Sequence, residues 1–157
     1  MIEAFNPPSV WSPFSAFSMG VAQGGGRIVH VKGQVALDRA GRVVGVGDMG
    51  AQTRKTLENI RLVLAAVGGQ MQDVIALTHY VTDIERFMQA RQVRLEFFRE
   101  PFPATTTVQV VRLFRTELLV EITATAEIPL ERFRPPLKRP DVPVEAPASD
   151  SGRLIEP

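Results

Sequence analysis

The run DVIALTHYVTD, residues 73–83, constrains the fold more than any other stretch of the chain. It is rich in β-branched residues and alternates, with Val74, Ala76, Thr78 and Tyr80 on one face and Ile75, Leu77, His79 and Val81 on the other. Strand geometry sends successive side chains to opposite sides, so this pattern predicts a strand with apolar groups on both faces. Such a strand belongs in the interior of a sheet, and both faces of that sheet need cover.

Two amphipathic segments can supply the cover on one side. From Asp48, a suitable N-cap, to Val67, the apolar residues Leu57, Ile60, Leu62, Val63 and Leu64 recur near helical spacing. Arg54, Lys55, Glu58 and Arg61 make the wet side, and Gly68–Gly69 ends the segment. A second helix is predicted over residues 84–100, with Phe87, Ala90, Leu95 and Phe98 as its core stripe and Pro101 as its stop.

The remaining strands are shorter. Residues 14–21 and 27–37 read as a hairpin joined by the QGGG turn at Gln23–Gly26, with Gly33 marking a bulge or a close approach. DRAG at 38–41 is a turn, and 42–46 is a short edge. Residues 105–113 and 118–128 complete the order β-β-α-β-α-β-β, an α+β fold with both helices on one sheet face. The other face then calls for a second copy of the chain, so a homo-oligomer is expected.

Composition narrows the chemistry. A net charge of +1 gives no global field for nucleic acid or an anionic membrane. With no cysteine and only His30 and His79, thiol chemistry is excluded and no metal site or cofactor is expected. The N-terminal residues do not read as a signal peptide and no run is long enough to span a membrane, so a cytoplasmic protein is expected. A length of 157 residues suits one domain, placed at 14–130, with 1–13 as an extended N-terminal segment. Residues 131–157 are proline-rich and read as an extended or disordered tail, or as a strap that could hold a partner protein.

The segments VKGQVALDRAGRVVGVGDMGAQTRKTLENIRLVLAAVGG, DVIALTHYVTDIERF, FPATTTVQVVRL and LLVEITATAEI together resemble the RidA/YjgF family, also called L-PSP endoribonuclease-like. The resemblance spans about residues 14–128. It implies a chorismate-mutase-like fold, a homotrimer with ligand clefts between subunits, and hydrolysis of enamines or imines such as 2-aminoacrylate to keto acids and ammonia without a cofactor. The family's substrate-binding arginine follows Phe-Pro-Ala, where this chain has Thr105. A hydroxyl offers a single donor and no charge, so it cannot replace a bidentate guanidinium–carboxylate pair. The family's water-positioning glutamate matches Thr123, while the preceding acid, Glu121, is kept about 6–7 Å along the strand. Lys32 replaces a pocket serine, Arg91 an asparagine and Phe17 a tyrosine, and Gly33 remains.

The resemblance therefore implies catalytic candidates Glu121, Thr123 and Thr105, and a ligand site of Phe17, Lys32, Gly33, Arg91, Thr105, Thr106 and Thr107. Lys32 and Arg91 either restore the lost positive charge or are ordinary solvated or interface cations. The three threonines are either strand filler or a hydroxyl-lined lip. His79 and His30 read as packed histidines, and the QGGG turn opens no helix and so is no phosphate cradle. Two functions follow: a divergent hydrolase or deaminase that handles 2-aminoacrylate poorly, or a trimeric small-molecule-binding or accessory protein without the reaction. RNA cleavage, implied only by the older family name, is the weakest reading.

Overall fold

The computed structural model describes residues 2–136; the rest of the proline-rich tail lies outside the described residues. Its elements are β1 (Glu3–Phe5), β2 (Gly20–Ala22), β3 (Arg27–Val35), α1 (Met49–Ala65), a 3-10 turn (Met71–Asp73), β4 (Val74–Val81), α2 (Ile84–Gln89), α3 (Arg91–Leu95), β5 (Ala104–Gln109) and β6 (Val120–Ile128). The main sheet has the order β3-β6-β4-β5. β6 is antiparallel to both neighbours and β4–β5 is parallel, as a strand–helix–strand crossover requires. The alternation of 73–83 thus becomes an interior strand.

One face of the sheet carries the helices. Leu57, Ile60 and Leu64 of α1 are fully buried in one cluster with Leu77, Val81, Ile122 and Ala124 of the sheet. Each such side chain contributes roughly 1.5–3 kcal/mol of hydrophobic stabilisation. Asp48 caps α1, its Oδ1 accepting from Ala51 N at 2.9 Å. Gly68, at φ +80°, turns the chain away in a conformation that a Cβ would strain.

The other face is more polar than the alternation suggests. Thr78, Tyr80, Glu121, Thr123 and Thr125 line it and are half buried, while Thr106 and Val108 are exposed. Hydroxyls and carboxylates, rather than a continuous apolar surface, therefore occupy the side that the helices leave uncovered.

Two expected elements differ. Residues 14–21 do not form a hairpin with 27–37: β2 is only Gly20–Ala22 and pairs with β1, while β3 pairs with β6. The QGGG turn is drawn over the end of β6 because the Glu127 carboxylate accepts from Gly24 N (2.8 Å) and Gly26 N (2.6 Å). Ser18 instead bridges to Ala104 at the start of β5. The helix expected over 84–100 breaks at Ala90, whose φ −81° and ψ 14° leave helical geometry. The break rephases the stripe, so Val93 and Arg94 turn inward and Leu95 is 48% exposed. The last two strands are shorter than 105–113 and 118–128, and residues 42–46 make only the isolated Leu37–Val43 bridge.

Candidate functional site

The strand register sorts the candidate residues onto two faces. Thr78 lies beside both Thr106 and Thr123, and Tyr80 beside both Val108 and Glu121, so these residues share the uncovered face. Leu77 lies beside Thr105, and His79 beside Thr107, with His79 Nδ1 and Thr107 Oγ1 2.9 Å apart. Thr105 and Thr107 therefore face the helices. The threonine run is split by the pleat, and one protomer does not bring Thr105 together with Thr123.

On the uncovered face the β3 bulge does more than bend a strand. Val31 pairs with Ala124 and Gln34 with Ile122, so Lys32 and Gly33 both stand opposite Thr123. Glu121 pairs with Val35, yet its carboxylate leans back over Gly33: a Cβ built there would overlap Oε1 and lie 2.9 Å from Cδ. The acid that looked one strand repeat too far from Thr123 thus reaches toward its level. Among the described residues, no side chain or backbone donor hydrogen-bonds the Glu121 carboxylate, so its oxygens are free for a ligand or water. Lys32 is exposed on the bulge, its Nζ 3.4 Å from Gly33 O.

Arg91 begins α3 on the helix side and is exposed, while Lys32 sits on the edge strand farthest from β5. One chain therefore does not combine these two cations. Phe17 lies near the start of β5, on an open cavity of about 560 Å³ with Ser15, Ser18 and Phe102. Its ring packs against Phe14 at 5.3 Å and Trp11 at 5.8 Å, both of which are exposed.

A further charged residue has no part in the sequence reading. Arg94 is 4% exposed, with its guanidinium 5.1 Å from the Phe87 ring centroid. Its side chain makes one hydrogen bond among the described residues, from Nη2 to Ser15 Oγ at 3.5 Å, and Nε has none. Burial lowers its pKa. His79, fully buried beside Phe87, is pushed down to about 3 by burial and by the Arg94 charge, which keeps it neutral. His79 is a packed histidine, as expected, although its Nε2 also lacks a partner. The signal for Arg94 is its spacing: seven residues after Phe87 and four before Phe98, it falls on the apolar stripe. Among the described residues, no three of His, Cys, Asp and Glu gather as a metal-binding group.

Comparison with known proteins agrees with this architecture. The chain is 37% identical over 115 residues to a RutC family protein of Pyrococcus horikoshii, covering 73% of this chain and 88% of that one. Among solved structures it resembles YyfB of Yersinia pestis, described as a protein of unknown function of the conserved Rid family. That match has a TM-score of 0.74 and 33% identity, and covers 81% of this chain and 98% of YyfB. It also resembles the YjgF gene product of E. coli, with a TM-score of 0.58, 29% identity, and 78% and 93% coverage. The Endoribonuclease L-PSP family model matches residues 9–128. With that model matched over most of its length, the chain belongs to the Endoribonuclease L-PSP family, the Rid/YjgF group.

Proposed function

We propose that this protein is a hydrolase of small enamines or imines, in which Glu121 replaces the acid missing at Thr123. The observation that carries this reading is the Glu121 carboxylate over Gly33, without a hydrogen-bond partner among the described residues, on the face that carries Thr123 and beside the bulge that carries Lys32. A carboxylate so placed can accept a proton from water as the water attacks the imine carbon. The C=N bond adds water to give a carbinolamine, the proton passes to nitrogen, and the C–N bond breaks to release ammonia and leave the carbonyl. Thr123 orients the water through its hydroxyl, and Lys32 supplies positive charge at the rim.

The cleft is completed between protomers of a homotrimer. Support comes from the distribution of residues: Glu121, Thr123, Lys32 and Gly33 lie at the β3–β6 side of the uncovered face, whereas Phe17, Thr105 and Arg91 lie at the β5 and helix side. A site using both sets needs two chains. Thr106 and Thr107 then belong to the rim and to the helix-facing packing, respectively.

A non-catalytic binding or accessory role is favoured by one observation, that Thr105 and Thr123 are both neutral where the family resemblance implies charge. Without the guanidinium, 2-aminoacrylate is expected to be a poor substrate. RNA cleavage draws no support from a net charge of +1. The test is ammonia release from a panel of imines with wild type and Glu121→Gln, together with sedimentation to read the oligomeric state. Release that depends on Glu121 supports the hydrolase, and an inactive trimer that still binds ligand supports the accessory role.

A further inference from the structure

We propose that residues 140–146 of this chain's own proline-rich tail dock in the valley between β3 and α1, as an extended strap whose valines fill the valley and whose acids meet its basic rim. This docking does not require that the protein hydrolyse imines.

The first observation is an apolar groove on the outer side of a helix. Leu62 is 55% exposed, Val63 40% and Phe114 42%, and with Leu37 they line an open cavity of about 530 Å³ between the end of β3 and α1. α1 already buries Leu57, Ile60 and Leu64 against the sheet, so Leu62 and Val63 form a second apolar strip that the described residues leave bare. The rim of the groove carries Lys32, Arg39 and Lys55. Asp38, on the same rim, is already held by Arg42 at 2.8 Å. The groove therefore suits a segment that is apolar on one side and acidic on the other.

The second observation is where the described chain ends. Arg134 N donates to Val67 O at 3.0 Å at the end of α1, and the Phe133 ring lies 5.2 Å from the Arg27 guanidinium at the start of β3. The chain that continues past Pro136 thus starts at the head of the valley that these two elements bound. The groove positions on α1, from Val63 back to Lys55, lie about 6–18 Å along the helix from Val67. The stretch from Pro136 to Val142 can span up to about 20 Å, which matches.

The sequence that arrives there is Pro140-Asp141-Val142-Pro143-Val144-Glu145-Ala146. Its prolines favour extended backbone, which puts Val142 and Val144 on one side and Asp141 and Glu145 on the other. Beyond Arg139 the tail's charges are Asp141, Glu145, Asp150 and Glu156 against Arg153 alone, opposite in sign to the rim. The short tether favours the tail of the same chain over that of a second copy.

The chain has no cysteine, so paired substitutions in the full-length protein read the docking by disulfide formation. Leu62→Cys with Val144→Cys is expected to close within one chain about tenfold or more faster than Arg61→Cys with Val144→Cys. Arg61 is exposed one residue away on the same helix but lies outside the groove, and neither substitution touches the core. Adding Asp141→Lys and Glu145→Lys, or raising the salt, should slow the first pair by about threefold or more and leave the second unchanged. Equal rates for the two pairs would overturn the proposal, as would a first pair indifferent to the charge reversals. A disulfide that joins two chains would also overturn it, by making a second copy the occupant. Loss of imine hydrolysis in Glu121→Gln has no bearing on these rates, so the two proposals fail separately.

Discussion

Gly33 leaves bare the space that the Glu121 carboxylate occupies, because any Cβ at that position would overlap Oε1. The β3 bulge creates this contact by placing both Lys32 and Gly33 opposite Thr123. An acid lying two residues from the expected position is thereby turned toward it.

Gly33→Ala should consequently act through Glu121. The colliding atoms belong to a flexible side chain, so the fold survives with a loss of about 0.5–1.5 kcal/mol as Glu121 takes another rotamer. Imine hydrolysis should fall nearly as far as in Glu121→Gln, by about 10²–10⁴-fold. The double variant should be no worse than Glu121→Gln alone, and steady-state ammonia release on all three variants checks this non-additivity.

Thr105→Arg should restore an anchoring charge at the start of β5. A charge-assisted pair contributes about 1.5–3 kcal/mol, so turnover of 2-aminoacrylate should rise roughly ten- to a hundredfold over wild type. Comparison of kcat/KM for 2-aminoacrylate between the two proteins decides it. An unchanged value would mean that another group already holds the carboxylate.

His79 should make the fold sensitive to acid. Its pKa is depressed in the folded state to about 3, by burial first and then by the Arg94 charge, whereas the unfolded chain protonates it near the ordinary 6.5. The stability it contributes is full above 6.5 and is lost as pH falls toward 3. Between pH 7 and 5.5 this group should cost about 1 kcal/mol, measurable by urea unfolding. In His79→Gln that part of the pH dependence should be absent.

Asp73 should be a structural hinge pin rather than a site residue. It is 5% exposed, accepts from Gln70 N at 2.7 Å, and pairs with Arg132 Nη1 at 2.9 Å. Arg132 also reaches Gly68 O at 3.2 Å, so the pair ties the segment after β6 to the end of α1. Because Arg132 stays partly solvated, Asp73→Ala should cost about 2–3 kcal/mol rather than the full penalty of a buried pair. Thermal unfolding should show the loss, with imine hydrolysis of the folded fraction unchanged.

The parts of the fold legible in the sequence are those whose periodicity is local. β4 alternates without interruption, α1 buries Leu57, Ile60 and Leu64 of its expected stripe between Asp48 and Gly68 while Leu62 and Val63 stay exposed, and Gly33 announced its bulge by interrupting β3. The N-terminal strand was not legible, because its pairing is set by distant partners: Glu127 holds the glycine turn and Pro103 accepts from Ser18 N. The break at Ala90 was hidden by good helix formers on either side. Of the site, the residue identities were readable but the face of each threonine was not, since Thr105, Thr106 and Thr107 differ only in register. The reach of Glu121 over Gly33 depends on a bulge geometry that sequence spacing alone does not specify.

The most direct test of the account is ammonia release from a panel of enzymatically generated imines, measured side by side for wild type and Glu121→Gln. The account predicts turnover by wild type on at least one bulkier imine and a loss of about a hundredfold or more in the variant. Equal turnover by the two proteins would contradict it, and would show that the carboxylate over Gly33 takes no part in the reaction.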